Sequence, residues 1–160
     1  MSLGLWLALL SLSGCGFHLK GYQQAASPAL DGLYVLNGDQ RDTLAGTLQR
    51  NLRIAGVNLA ADAESSRHRL QIIQEQVKSR VLAVDASGKA LDSEFRLTAS
   101  FSLIPATGEP HEAQHLELVR QLSYSGDDEL GRRNEASLLM EDMRNEMANQ
   151  IIRRLEALLN

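Results

Sequence analysis

The sequence predicts an α/β domain of the α+β type: two helices packed on one face of a four-stranded mixed sheet, in the order β-α-β-β-β-α. Three observations lead there. Phe95, Leu97, Ala99, Phe101 and Leu103 alternate with Arg96, Thr98, Ser100 and Ser102, the period of a strand with one apolar and one polar face. Ala136, Met140, Met143, Met147, Ile151, Leu155 and Leu158 recur at steps of three and four, the stripe of a long closing helix. Ahead of both, a short apolar run and a second helical stripe stand side by side, the start of a β-α-β unit.

Taken in chain order, Leu33-Tyr34-Val35-Leu36 is the short apolar run, a buried strand ended by Asn37-Gly38. The first helix follows. Asp42 or Thr43 caps it, Leu44, Leu48, Leu52 and Ala55 share its inner face, and Gly56 stops it. Arg41, Gln49, Arg50 and Arg53 fall on or near its outer side. A long strand then runs from Leu70 to about Ala83. Leu70 and Ile72 have one parity, Val77, Val81 and Ala83 the other, and the change of phase predicts a bulge near Ile73. Asp85-Ala86-Ser87-Gly88-Lys89 is a hairpin turn in which Gly88 supplies the positive φ.

The strand centred on Phe95–Leu103 ends in a turn over Pro105–Pro110. The next strand carries Leu116, Leu118, Leu122 and Tyr124, with Arg120 interrupting its apolar face. Ser125–Arg133 reads as a polar loop, and the closing helix spans about Asn134 to Leu159. The first two strands are expected to be parallel, joined by a right-handed crossover, and the three long ones to form an antiparallel meander. The sheet face away from the helices is polar and needs water or a polar partner surface.

The 160 residues are 44% hydrophobic but only 4% aromatic, so the core is aliphatic. The formal net charge of −4 argues against a nucleic-acid partner, which a basic domain would announce.

The one cysteine, Cys15, follows an apolar run from Leu3 to Leu12 that is too short to span a bilayer. Ser13 and Gly14 before it are small, as a signal peptidase cleft requires. This pattern is a lipoprotein signal. The expected division is a signal peptide over 1–14, a lipidated tether over 15–31 and a single domain over 32–160. Gly16 after the cysteine is not the Asp that favours inner-membrane retention in Gram-negative bacteria, so delivery to the outer membrane is expected.

No catalytic motif emerges. There is no nucleophile elbow, no phosphate-cradling glycine loop and no metal-ligand spacing, so no enzyme, no cofactor and no metal site is predicted. His111 and His115 fall in turn and strand, where that separation does not bring two rings together. Two basic clusters remain. Lys78, Arg80 and Lys89 belong to the hairpin, and Arg132-Arg133 precedes the last helix. Such groups at turn tips suit a phosphorylated ligand, since guanidinium grips phosphate bidentately.

Cys15-Gly16-Phe17-His18-Leu19-Lys20-Gly21 resembles the start of the mature lipoproteins of the LptE (RlpB) family, which open on Cys-Gly, an aromatic residue, His-Leu and a base. Looser matches follow in the same order at Leu52–Val57, Phe101–Pro105 and Ile151–Leu155. The resemblance implies a non-enzymatic lipopolysaccharide-assembly lipoprotein of the outer membrane, seated within the barrel of LptD, supporting that barrel's assembly and binding lipopolysaccharide. It also implies ligand contacts at the hairpin turn and before the last helix, here Lys89, Arg132 and Arg133. Ala86 stands where the family can carry an arginine, which leaves Lys89 as the nearest base on the hairpin. The competing expectations are an accessory lipoprotein of another envelope lipid-transport complex, which would share the anchor and the domain, and a periplasmic lipoprotein enzyme.

Overall fold

The computed structural model describes residues 27–124 and 128–159. The signal segment 1–14, Cys15 with the Phe17-His18-Leu19 motif, and residues 125–127 of the polar loop lie outside the described residues.

The elements are β1 (Leu33–Val35), α1 (Leu44–Ile54), β2 (His68–Val84), β3 (Ala90–Pro105), β4 (Gln114–Ser123) and α2 (Glu129–Leu159), preceded by a 3-10 turn over Pro28–Leu30. The strands form one sheet in the order β1-β2-β3-β4, with β1 parallel to β2 and the other pairs antiparallel. This is the predicted order and pairing.

The bulge predicted from the parity change is present. Leu70 lies opposite Leu103 and Ile72 opposite Phe101; past a register shift between Ile72 and Gln74, Val77 lies opposite Leu97 and Ser79 opposite Phe95. Opposed residues of an antiparallel pair share a face. The extra residue, Ile73, therefore keeps the apolar positions of β2 on the helix side as far as Val81; a second shift then sets Ala83 opposite Asp92, on the outer face and not with Val77 and Val81 as its parity predicts. Leu48 and Leu52 of α1, Leu97 and Phe101 of β3, and Met143, Met147 and Ile151 of α2 meet there with no exposure to water. Flexible methionines fill the irregular space that a core poor in aromatics leaves.

Thr43 is the residue that caps α1. Its hydroxyl accepts the Gly46 amide at 3.2 Å and donates to the Gln40 carbonyl at 2.7 Å. That tight return explains a glycine inside a helix, because a Cβ on Gly46 would sit 2.0 Å from the Gln40 carbonyl oxygen.

Two boundaries differ from expectation. α2 starts at Glu129 rather than Asn134. The Asp128 carboxylate accepts the amides of Leu130 (3.2 Å) and Gly131 (3.0 Å), which satisfies donors that a helix start leaves open. The first turns overhang the core, so they carry no apolar stripe; Leu130 and Leu138 are both 66% exposed. Arg132 and Arg133 consequently stand on the helix and not in the loop. At the other end of the chain, the last turn of the 15–31 segment is docked. Leu30 is fully buried, and the Ser27 amide donates to Glu156 of α2 at 2.8 Å.

No helix among the described residues is long and apolar enough to cross a membrane.

Candidate functional site

The predicted basic residues lie at the end of the molecule where the β2–β3 hairpin turns and α2 begins. Asp85 organises the turn. Its Oδ1 accepts the Ser87 amide (2.8 Å), the Ser87 hydroxyl (2.7 Å) and the Lys89 amide (3.0 Å), and Gly88 takes the left-handed φ of +85°. The Ser87 hydroxyl, the backbone amides and the Lys89 charge hold the Asp85 carboxyl below its usual value. Lys89 is thus presented from a fixed tip.

Arg132 reaches the same end from the helix. Its guanidinium carbon lies 4.3 Å from the centroid of the Tyr124 ring, within cation–π range. The Tyr124 amide donates to the Leu91 carbonyl at 2.8 Å, two residues past Lys89. The end of β4 therefore joins Arg132 to the root of the hairpin. Arg133 is placed differently, with its Nε 3.2 Å from the Glu129 carboxylate one helical turn back.

Behind the tip, the sheet's outer face is laced by ion pairs. Arg80 grips Glu94 through two hydrogen bonds of 3.0 Å each. Arg96 contacts both Glu94 and Glu117. Hydrogen bonds from Arg80 are the main reason the Glu94 carboxyl lies below its usual range. Farther along, Gln74, Ser100 and His115 form one polar row and Gln76, Thr98 and Glu117 the next. They line a shallow open depression of about 340 Å³.

Around the cations, Val81, Leu82, Val84 and Leu91 are exposed. An end that offers ammonium, guanidinium and aliphatic surface together suits an amphiphile carrying both phosphate and hydrocarbon. Arg120, which interrupts the apolar face in sequence, reaches Glu146 of α2 and so joins β4 to the helix. His115 pairs with Ser100 on β3, whereas the neighbour of His111 is His68. Among the described residues no group of three His, Cys, Asp or Glu is placed to hold a metal ion.

The sequence did not point to Tyr124 as the platform for Arg132 or to Glu94 as the junction of two arginines. Arg132 reaches Tyr124, and Arg80 reaches Glu94, from different elements, so no local spacing signals those meetings; Arg96 alone is a near neighbour, two residues along β3 from Glu94.

A family model described as LptE, lipopolysaccharide-assembly, matches residues 30–155. The chain is 25% identical over 155 residues to the LPS-assembly lipoprotein LptE of Photorhabdus laumondii, covering 97% of this chain and 84% of that protein. It is 28% identical over 159 residues to the protein of the same name from Yersinia pestis, covering 97% and 74%. Among solved structures, lipoprotein B of Nitrosomonas europaea superposes with a TM-score of 0.64 at 21% identity, over 86% of this chain and 92% of that one. The rare lipoprotein B of Shewanella oneidensis gives 0.63 at 18% identity, over 79% and 92%. At these identities the two structures speak for the fold.

Proposed function

This chain belongs to the LptE family of lipopolysaccharide assembly, and on that premise we propose that it is a lipoprotein held through Cys15 at the periplasmic side of the outer membrane, where it forms a complex with the β-barrel LptD. In this role it performs no catalysis. It supports assembly of the barrel, occupies its lumen, and binds lipopolysaccharide on the way to the outer leaflet through Lys89, Arg132 and Arg133.

The observation that carries the proposal is the convergence of Arg132, Tyr124 and the hairpin root at one end, beside exposed aliphatic side chains. Phosphate on a lipid headgroup would meet the cations, and acyl chains would meet Val84 and Leu91. Arg132, stacked on a ring, is held at a fixed height above the sheet end and loses little freedom on binding. Arg133 already has a carboxylate partner and contributes less. The polar rows on the outer sheet face suit a wet, hydrophilic barrel lumen, whose inward side chains are themselves polar.

Affinity capture of the full-length lipidated protein from outer membranes, with mass spectrometry of the eluate, tests the complex. A near-stoichiometric large β-barrel protein is expected. Recovery of the lipoprotein alone, or with an inner-membrane transporter, overturns the assignment.

A further inference from the structure

β1 covers β2 only over His68–Leu70, so most of this 17-residue strand forms an edge of the sheet. Which backbone groups face outward follows from the register. The Leu70 carbonyl accepts the Leu36 amide at 3.0 Å, so the backbone polar groups of Leu70 point away from β3 while its side chain points into the core. Residues of one strand whose side chains share a face also send their N–H and C=O to the same edge. Beyond the bulge, the residues on the helix side are Val77, Ser79 and Val81, opposite Leu97, Phe95 and Ser93. Their backbone groups therefore point outward, and none of them has a backbone partner among the described residues.

The window is bounded on both sides. Below it, Glu75 turns to accept the Leu44 amide at 2.8 Å, and α1 closes the edge. Above it, register shifts after Val81 end the straight run. Five residues remain, a length of about 17 Å, enough to template one short strand. On the helix side of this window Val77 and Val81 are exposed. On the other side stand Lys78, which makes no ion pair among the described residues, and Arg80, which Glu94 already holds.

From this we infer that the β2 edge between Val77 and Val81 takes an extended, carboxylate-bearing segment of the barrel partner as a fifth strand of the sheet. The inference rests on the reading above that the partner is a β-barrel. Main-chain pairing would supply affinity, aliphatic side chains would lie against Val77 and Val81, and a carboxylate would face Lys78. A second copy of this chain fits poorly. Antiparallel self-pairing of the whole window, centred on Ser79, sets Lys78 against Arg80 twice, and like charges directly opposite destabilise a ladder. The wall strands of a closed barrel are paired on both edges, so the segment is a loop or a terminal extension of the barrel protein.

Ser79→Pro tests this in the full-length lipidated protein. Proline removes the outward N–H alone, and an edge strand accepts it at such a position without loss of its inner ladder. Ser79→Thr is the control. The expected result is an unchanged circular dichroism melt with at least a tenfold fall in barrel recovered from outer membranes relative to Ser79→Thr. Recovery of barrel with Ser79→Pro at the control level overturns this inference alone. Absence of any barrel with the unsubstituted protein overturns the parent reading and this one together. Should Ser79→Pro fail to fold, Lys78→Glu decides, with reduced recovery supporting the inference and full recovery overturning it.

Discussion

Glu75 and Arg144 meet across the two layers of the molecule. The Arg144 Nε donates to Glu75 Oε1 at 2.8 Å, and both side chains are largely screened from water. The other carboxylate oxygen of Glu75 accepts the Leu44 amide at the start of α1. One side chain of β2 thus fastens both helices to the sheet, at the point where the covered part of the edge ends.

Replacing Glu75 should therefore destabilise the fold more than an exposed ion pair would. Glu75→Ala leaves a helix-start amide and a half-buried guanidinium without their acceptor and is expected to cost about 2 kcal/mol. Glu75→Gln keeps an acceptor for the Leu44 amide and should cost about half of that. Urea titration of the purified domain measures both.

Gly46→Ala should have the opposite sign from the usual helical substitution. Alanine in a helix interior ordinarily gains about 1 kcal/mol over glycine. Here the added Cβ meets the Gln40 carbonyl oxygen at 2.0 Å, a backbone atom held by the Thr43 hydroxyl. A loss of about 3 kcal/mol is expected, as for a badly overpacked site. A Tm equal to or above that of the parent would refute the close approach.

Charge reversal of Lys89 and Arg132 together should weaken lipopolysaccharide binding without altering the melt. Each lost charge-assisted contact is worth about 1.5–3 kcal/mol, so the double variant should lose at least tenfold in affinity. Arg132→Lys keeps the charge but not the planar stack on Tyr124 and should fall between. Titration with purified lipopolysaccharide gives the comparison, and unchanged affinity in the double variant would remove the ligand assignment.

His68 makes the fold sensitive to mild acid. Its Nδ1 is shut from water without a hydrogen-bond partner. Burial, and after it the neighbouring charges of His111 and Arg67, hold the ring below its ordinary pKa. A group whose folded-state pKa is depressed gives its full stability above the unfolded value, about 6.5 for His, and loses it as the pH falls through the folded value. Tm should therefore drop as the pH is lowered below about 6.5. His68→Leu should flatten that dependence, and an identical slope in both proteins would show that His68 is not its source.

Strands and packed helices were legible in the sequence because burial imposes a period on them. The alternation around Phe101 fixed the faces of β3, and the parity change between Ile72 and Val77 located the bulge before any pairing was known. The start of α2 left no such mark. Glu129–Arg133 overhangs the core, so no apolar residue is needed at any step, and Gly131 reads as a breaker although Asp128 caps the helix there. The site was half legible. Lys89 and Arg132 stand out as bases near turns, but Arg132 meets Tyr124 only because β4 and α2 converge at the hairpin root. Glu75 and Arg144 lie 69 residues apart, and nothing local predicts that they touch.

On the proposed lipidation of Cys15, the docking of Ser27 against Glu156 would set the reach of the protein from its membrane. Only eleven residues separate Cys15 from Ser27, a leash no longer than about 40 Å even if pulled straight. It meets the domain beside the last turns of α2, while Arg132 sits in the first turns of the same 31-residue helix, about 36 Å from Glu156 along its axis. If Cys15 carries the proposed lipid, the helix is a spar tethered near its foot with a cation near its head, and the length of the leash would limit how deeply that head could be carried into the proposed barrel.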